Sequence, residues 1–249
     1  MIKLKSTSDS KDLEKKLKSH NLEQSSKTLL DKISFKGVKV DEALEEFLEK
    51  YEELNSLLFE NNELNNELKE EIEKVILNYK AKKNGLVLSE DRKTIIKASE
   101  DIKECVIPDG ITKIGEFAFF HCKSLKSITI PDSVTYISRQ AFSECTSLTS
   151  VIIPDSVNYI DVYAFSGCYS LTSIVIPNSV KEISEGAFLE CLSLTTVNIP
   201  EGVTRIGRAA FWGCGSLKLI TIPYSVTEIG YDVFAYCSPS ISITRPDSV

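Results

Sequence analysis

The seven cysteines have the widest choice of chemistry in this chain, because a thiolate can act as a nucleophile, bind zinc or form a disulfide. Six of them recur at an interval of 23 residues, at Cys122, Cys145, Cys168, Cys191, Cys214 and Cys237, and the seventh is Cys105. Zinc sites need pairs of ligands a few residues apart, and this interval does not supply them. The spacing indicates a structural role in a repeated unit.

Disulfides between neighbouring units are the alternative to free thiols. Stacked strands would bring equivalent Cα atoms to about 5 Å, a distance that allows a disulfide. A thiol also packs well as a small apolar side chain. Because the chain shows no secretory context, we expect seven free, buried thiols rather than disulfides.

Acid–base and phosphate chemistry find no support in the sequence. The two histidines are His20 and His121, and other copies of the unit carry glutamate, glycine or tyrosine at the position of His121. Neither histidine forms a nucleophile–base pair with a serine or cysteine motif, and no glycine-rich phosphate loop is present. The sequence therefore predicts a protein that is not an enzyme and needs no cofactor or metal.

The repeated unit begins at each of six prolines, and a truncated seventh copy begins at Pro246; the six are Pro108, Pro131, Pro154, Pro177, Pro200 and Pro223. Counted from the proline, each unit has Ile or Val at position four, Ile at seven, Ala-Phe or Val-Phe at eleven and twelve, and Cys at fifteen. Apolar residues close the first five units at positions eighteen, twenty-one and twenty-three, whereas the sixth has Ser240 and Arg245 at eighteen and twenty-three. A fixed period of this length predicts a solenoid of stacked coils.

Local patterns predict the parts of one coil. Residues 125–130 alternate apolar and polar, which predicts a short strand with Ser127 and Thr129 facing solvent. Residues 134–137 read as a second extended piece, and Ala-Phe-x-x-Cys reads as one turn of α- or 3₁₀-helix. Stacked coils would place the phenylalanines in one buried spine, formed by Phe119, Phe142, Phe165, Phe188, Phe211 and Phe234.

Residues 85–107 are expected to close the start of the solenoid. Residues 86–88 and 94–96 are apolar and flank a polar turn, which predicts a β-hairpin cap. Ile102, Cys105 and Ile107 then occupy the inward columns of a degenerate first coil. The solenoid itself is assigned to residues 108–249.

Residues 1–84 form a different, acidic region that is predicted to be a helical head. From Leu44 to Tyr79 the apolar residues follow heptad spacing, which predicts a coiled coil or helical bundle. Its apolar seam would pack against the first helices of the chain or against a second chain. Asn61 and Asn65 lie on this seam, so the helix either continues with buried amides or breaks into a hairpin there. Lys80, Lys82, Lys83 and Gly85 predict its end.

Charge and hydropathy restrict partners and location. The net charge of −7 and the isoelectric point near 5.1 argue against nucleic acid. No run approaches the roughly 18 apolar residues of a membrane span. Residues 1–6 pass directly into charged sequence without the apolar core of a secretory signal, so we expect a cytoplasmic protein. A secreted or cell-surface protein is the alternative.

The motif Ile-Pro-Asp-Ser-Val-Thr-x-Ile, followed by Ala-Phe-x-x-Cys-x-Ser-Leu-x-x-Ile-x-Ile-Pro, resembles the BspA-like, treponemal-type class of leucine-rich repeats. The resemblance covers roughly 140 to 160 residues and implies a curved solenoid whose sheet face often binds proteins. It also implies surface or secreted relatives linked to adhesion, and it brings no catalytic residue. The expected fold class is α+β, a leucine-rich-repeat solenoid with short parallel strands after a helical head.

Candidate binding residues are those that break the small, polar pattern at exposed positions. The strand face carries Ile152, Val175, Asn198 and Leu219, and aromatic rings occur elsewhere as Tyr136, Tyr159, Tyr163, Tyr169 and Trp212. Exposed aromatics favour a protein interface, although rings that stack on neighbouring coils explain them equally well. We expect a protein-recognition or scaffolding module, with the head for oligomerisation or docking. A surface adhesin and an adaptor subunit of an enzyme complex are the alternatives.

Overall fold

The computed structural model of the chain describes residues 66–245, and the predicted helical segments before residue 66 lie outside that range. The chain divides into two compact units, Met1–Tyr79 and Lys80–Val249. One α-helix is found in the described residues, α1 (Asn66–Lys83). It ends as predicted, with lysines in its last turn and Gly85 at a φ of 67°.

Within the described part of the second unit the chain winds through fifteen short strands. The first two are β1 (Leu86–Leu88) and β2 (Thr94–Ala98), which pair antiparallel as a hairpin. Seven three-residue strands form the front column: β3 (Glu104–Val106), β5 (Ser127–Thr129), β7 (Ser150–Ile152), β9 (Ser173–Val175), β11 (Thr196–Asn198), β13 (Leu219–Thr221) and β15 (Ser242–Thr244). Six two-residue strands form the side column: β4 (Lys113–Ile114), β6 (Tyr136–Ile137), β8 (Tyr159–Ile160), β10 (Glu182–Ile183), β12 (Arg205–Ile206) and β14 (Glu228–Ile229).

Each pairing between coils is parallel and joins residues 23 apart in the repeats. In the front column Ile128 pairs with Val151, and in the side column Ile114 pairs with Ile137. The hairpin strand β2 pairs in parallel with β4, so the hairpin continues the side column. Equivalent residues therefore lie in straight columns, which is the geometry that the period predicts.

The core lies between the columns and repeats in every coil. The middle residue of each front strand from β3 to β13 is buried and its two neighbours are exposed, as predicted. The phenylalanine spine is also confirmed, with ring centroids of consecutive residues 5.0 to 5.9 Å apart. Phe165 is fully buried between Phe142 and Phe188. Parallel stacking of this kind adds to the large apolar area that each ring buries.

The turn side, residues 138–145 in one coil and their equivalents, corrects the helical turn predicted for Ala-Phe-x-x-Cys. Here the chain forms consecutive turns in which successive N–H groups donate alternately to a carbonyl of the same coil and to a carbonyl of the next coil. Ala141 and Ser143 donate to carbonyls within the coil, at Ser138 and Gln140. Phe142 instead donates to the carbonyl of Ala164 in the next coil, at 2.8 Å. Because the next coil takes every second donor, a helix cannot form.

This alternation needs two left-handed residues per coil. The first occurs at Phe117, Gln140, Tyr163, Gly186, Ala209 and Asp232, and the second at His121, Glu144, Gly167, Glu190, Gly213 and Tyr236, all with positive φ. Three of these twelve residues are glycine, so the other nine hold a backbone conformation that costs roughly 1 to 2 kcal/mol. The bonds between coils must offset that cost.

Both strand columns are interrupted at one coil boundary. The front column divides between β7 and β9, and the side column divides between β8 and β10. The turn side continues across this boundary, since Phe165 donates to the Ala187 carbonyl at 2.9 Å and Gly167 donates to Leu189 at 2.8 Å. Outside the turn side the boundary is also crossed by the Ser184 hydroxyl, which donates to the Ile160 carbonyl at 2.6 Å, and by the Thr172 N–H, which donates to the Thr149 carbonyl at 3.2 Å.

The fold is a β-solenoid with parallel strands, which confirms the repeat part of the expected fold class. A helical head is not confirmed, because the described residues contain only the 18-residue helix α1. A coiled coil is likewise unsupported, since the seam before residue 66 lies outside the described range. The limits 1–84, 85–107 and 108–249 remain predictions.

The left-handed positions give the first testable prediction. Ala209 has a φ of 52°, so Ala209→Gly should raise the free energy of unfolding by about 1 kcal/mol, measured by urea denaturation. The adjacent Ala210 is fully buried and is not left-handed, so Ala210→Gly should lower it. Equal losses in both variants would contradict the role given to this backbone.

Candidate functional site

The front column presents two rows of exposed side chains, one on each side of the buried middle residue. Ile152, Val175 and Asn198 are the third residues of β7, β9 and β11, so they share one row. Ile152 is 81% exposed and Val175 is 61% exposed. Leu219 is the first residue of β13 and pairs with Thr196, so it lies in the other row. The structure thus brings three of the four predicted strand residues together and separates the fourth.

Threonines around these rows have a structural use that the sequence analysis missed. Thr149, Thr172 and Thr195 each donate a side-chain hydroxyl to the carbonyl of the equivalent residue one coil earlier, at 3.0 to 3.3 Å. Thr135 does the same toward Thr112 at the start of the side column. Their recurrence at two fixed repeat positions was the available signal. These hydroxyls bind coil to coil. Ile152 and Val175 make no such contact, and they differ from the exposed Val106 of the same row in lying next to each other on adjacent coils.

The two apolar residues also flank the coil boundary at which the strand columns are interrupted. Ile152 ends β7 on one side of the boundary, and Val175 ends β9 on the other. One backbone hydrogen bond joins the residues that directly precede β9 and β7, from the Thr172 N–H to the Thr149 carbonyl at 3.2 Å. An exposed apolar pair at this boundary is a surface that a partner side chain could cover.

The side column carries a ladder of stacked side chains. Lys113 lies over the Tyr136 ring at 4.7 Å, and the rings of Tyr136 and Tyr159 stack at 4.9 Å. The Tyr136 hydroxyl donates to Asp161 at 3.0 Å, and burial together with this bond raises the pKa of Tyr136 to about 12. Tyr136 is therefore fixed within the solenoid, and Tyr159 is the exposed member of the pair.

An ion-pair ladder continues the side column beyond the coil boundary. Arg205 lies between Glu182 and Glu228, and its Nε is 3.0 Å from Glu228. These side chains are partly exposed, so each pair contributes at most about 1 kcal/mol. Contacts within the chain therefore account for Glu182, Arg205 and Glu228 on this surface.

The predicted aromatics of the turn side lie apart from both columns. Tyr163 donates its hydroxyl to Glu185 at 2.8 Å, which raises the pKa of Tyr163, and its ring covers Gly186 so closely that a Cβ there would collide with it. Glu144 is the main cause of a raised pKa at Tyr169. Trp212 contacts Tyr236 with ring centroids 4.9 Å apart. The nine candidate residues thus occupy three surfaces, too many for one compact site.

Aromatic residues near the start of the solenoid were also missed. Phe117 and Phe120 are exposed and meet edge to face at 5.5 Å, and Phe120 contacts the His121 ring at 4.1 Å. The signal was that the first copy has an aromatic residue at two repeat positions where most other copies have none; the aromatic exceptions are Tyr163 and Trp212. His121 belongs to this surface cluster, which agrees with its expected surface position.

The cysteines are free thiols, as expected, and all but Cys237 are buried. Each cysteine on the turn side donates to a backbone carbonyl; Cys145, Cys168, Cys191, Cys214 and Cys237 bond to the phenylalanine of the preceding coil at 3.1 to 3.3 Å. Burial raises the pKa of Cys105 to about 12 and that of Cys122 to about 11. Among the described residues no group of His, Cys, Asp and Glu could hold a metal ion.

Stacked parallel coils with an apolar core column and short strands define a leucine-rich-repeat solenoid. The BspA type leucine-rich repeat family matches residues 93–218 and 182–249, with six copies. These matches cover more than half of the chain, so the chain belongs to that family. The family assignment indicates no catalytic activity, and the resemblance inferred from the sequence is confirmed.

Solved structures show the same architecture. A leucine-rich repeat protein from Bacteroides ovatus is 33% identical over 65% of this chain and 46% of its own, with a TM-score of 0.55. The Treponema pallidum leucine-rich repeat protein is 30% identical over 67% of this chain and 90% of its own, with a TM-score of 0.53. The pneumococcal vaccine antigen PcpA, at 18% identity over 66% of this chain and 47% of its own, with a TM-score of 0.50, shows the fold alone.

In two of these comparisons the chain matches only part of the relative, which limits what can be inferred about function from the similarity. The chain spans less than half the length of the Bacteroides ovatus protein and of PcpA. No curated protein matches it. The expectation of a cytoplasmic protein finds no support in the comparisons and stays a prediction. Within residues 66–245, no helix is both long and apolar enough to span a membrane.

Differential burial of the thiols gives the second prediction. In the native chain Cys237 should react first with a thiol reagent, because it is half-buried while the other six are buried. Mass spectrometry of the labelled peptides should show one fast site, and Cys237→Ser should remove the fast phase. Unfolding of the unlabelled wild-type chain without reductant should expose seven free thiols. Fewer than seven, or a fast reaction at Cys168, would contradict the thiol column.

Proposed function

We propose that this chain is a non-enzymatic recognition module that binds a protein partner through the front column of its solenoid. The observation that carries the proposal is the exposure of Ile152 and Val175 at neighbouring positions of the front column, whose other outward residues are polar apart from Val106 and Leu219. Apolar residues in such a setting mark the centre of many protein interfaces, with a polar rim around them. Ser150 and Ser173 supply part of that rim.

Asn198 extends the same row, and Leu219 and Tyr159 are secondary candidates on other parts of the surface. Asn198 follows Val175 in register and offers an amide that can donate and accept. Tyr136 and Tyr163 contribute less to a partner site, because carboxylates of this chain already accept their hydroxyl hydrogen bonds. Tyr169 and Trp212 would serve a separate contact on the turn side.

A surface adhesin or secreted host-interaction protein is a second candidate, favoured by the chain's membership of the BspA type family. Fractionation of native cells separates it from a cytoplasmic scaffold. An adaptor subunit of an enzyme complex differs from both in its partner, which copurification would identify as a catalytic subunit. All three functions use a protein-binding surface.

The partner site gives the third prediction. After copurification identifies a partner, Ile152→Asp and Val175→Asp should each weaken its affinity by about thirtyfold, and together by roughly a thousandfold, since central interface residues contribute about 2 kcal/mol each. Calorimetry on the purified pair measures the change. Leu192→Asp is the matched control, because Leu192 is an exposed apolar residue on the turn side. Unchanged binding in the double variant would remove the front column from consideration.

The acidic head, residues 1–84, is proposed to oligomerise or to dock on a partner through its heptad seam. The fourth prediction is that Leu54→Asp with Leu58→Asp abolishes that association, because both residues lie on the seam. Light scattering and copurification report the loss, with Glu53→Lys off the seam as the control. If the seam variant keeps both its mass and its partners, the head has neither role.

A further inference from the structure

The turn side of the second to sixth coils carries acidic residues and no basic ones. We call this surface the turn-side strip, and it consists of residues 140–147, 163–170, 186–193, 209–216 and 232–239. Its charged residues are Glu144, Glu190 and Asp232, and the strip contains no lysine, arginine or histidine. The first coil differs, since it carries His121 and Lys123 at these positions. The strip is therefore a surface with charge of one sign.

Two glutamates of the strip lack a countercharge. Glu144 and Glu190 are half-buried, and within residues 66–245 neither of them forms an ion pair. On the side of the solenoid, by comparison, Glu185 and Glu228 have arginine nitrogens at 3.8 and 3.0 Å. A partly buried carboxylate without a partner loses hydration and gains no Coulombic contact in return. A cation supplied from outside the chain would therefore stabilise both glutamates.

Glycines of the strip give these glutamates room to lie along it. A Cβ at Gly167 would come within 2.8 Å of the Glu144 Oε1, so this carboxylate lies directly over the Gly167 backbone. A Cβ at Gly213 would lie 3.3 Å from the Glu190 Cγ, so the Glu190 side chain lies over Gly213 in the same way. Each glutamate therefore extends toward the following coil along one row of the strip.

Aromatic and apolar side chains lie beside both carboxylates. The Glu190 N–H donates to the Trp212 carbonyl at 2.7 Å, so these two residues are direct neighbours on adjacent coils. The Glu144 carboxylate, then burial and the Glu190 carboxylate, raise the pKa of Tyr169, which places this hydroxyl in the field of both glutamates. Leu192 is exposed on the coil between Tyr169 and Trp212. The strip thus combines carboxylates with aromatic rings and an exposed leucine.

Arginine is the side chain whose chemistry fits this combination. Its guanidinium is planar, binds a carboxylate through two parallel hydrogen bonds and stacks on aromatic faces. A lysine ammonium is a more strongly hydrated point charge and has no flat face to stack. Glu144 and Glu190 lie two coils apart, which is about 10 Å at ~4.8 Å per coil. An extended chain covers this distance in about three residues.

We propose that the turn-side strip binds an extended, arginine-containing segment of a protein partner, with Glu144 and Glu190 each binding one guanidinium and with Tyr169 and Trp212 as the rings on which these guanidinium groups stack. The segment carries its arginines about three residues apart, as the spacing of the two glutamates requires. Complementary charge attracts the segment, and the rings select arginine among basic side chains. The site is separate from the front column and does not depend on the function proposed for it.

Fluorescence of the full chain tests the proposal, because Trp212 is its single tryptophan. Titration with a peptide that has arginine at every third position and no aromatic residue should change the Trp212 emission in a saturable way. Peptides with citrulline or lysine in place of arginine should bind about tenfold and several-fold more weakly, because the first lacks the charge and the second lacks the planar group. An unchanged emission, or equal binding of either substituted peptide, would overturn the proposal.

Two double variants locate the binding on the strip. Glu144→Gln with Glu190→Gln keeps the side-chain shape and breaks no ion pair among the described residues, so this variant should fold, as circular dichroism checks, and should bind the arginine peptide about tenfold more weakly. Asp109→Asn with Asp132→Asn is the matched control, because it removes the same charge from exposed positions outside the strip and should bind like the wild type. Unchanged binding in the glutamate variant, or an equal loss in the control, would overturn the proposal.

A third variant separates this site from the front column. Ile152→Ser with Val175→Ser alters only the front column and should leave the peptide titration unchanged. The same variant weakens binding of the partner at the front site if that proposal is correct, so the two proposals succeed or fail separately. A loss of peptide binding in this variant would overturn the assignment of the arginine site to the strip.

Discussion

Stacking of one coil on the next is the interaction on which the rest of this structure depends. A single coil buries too few apolar side chains to offset the ordering of its backbone, so its core exists only when both neighbours are present. Phe165 illustrates this dependence, since it is enclosed by Phe142 and Phe188 from the adjacent coils. The same dependence explains why cysteine, threonine and serine recur: their hydroxyls and thiols bond to carbonyls of the preceding coil.

Features that follow from the residue pattern of the repeat could be predicted from the sequence. Hydrogen bonds that form between one coil and the next could not. Alternation in residues 125–130 predicts the strand around Ile128, and the repeated phenylalanine predicts the spine. The spacing of Ala-Phe-x-x-Cys is helical, yet the carbonyl of Ala164 takes the Phe142 donor 22 residues away, and no local pattern contains that bond. For the site, exposure of Ile152 followed from its place in a strand. The bond from Tyr136 to Asp161 depends on side-chain geometry between coils, which the sequence does not specify.

The interrupted coil boundary separates two ways in which the coils bind each other. Before it, the Lys113 ammonium lies over the Tyr136 ring, which stacks on Tyr159; after it, Arg205 forms ion pairs with Glu182 and Glu228. The change of chemistry coincides with the loss of strand pairing on both columns. Aromatic and ionic ladders are each continuous only among like members, so the junction between Tyr159 and Glu182 offers neither. The buried bond from the Ser184 hydroxyl to the Ile160 carbonyl and the backbone bonds of the turn side connect the coils there.

Function in such a solenoid has to reside in residues that depart from the repeat, because those that recur are used in stacking. Ile152 and Val175 depart in this way, because they place exposed apolar groups at adjacent positions of a row that is elsewhere polar apart from Val106. The stacking of the coils does not use these two side chains, so a partner whose own shape fits them would account for their presence.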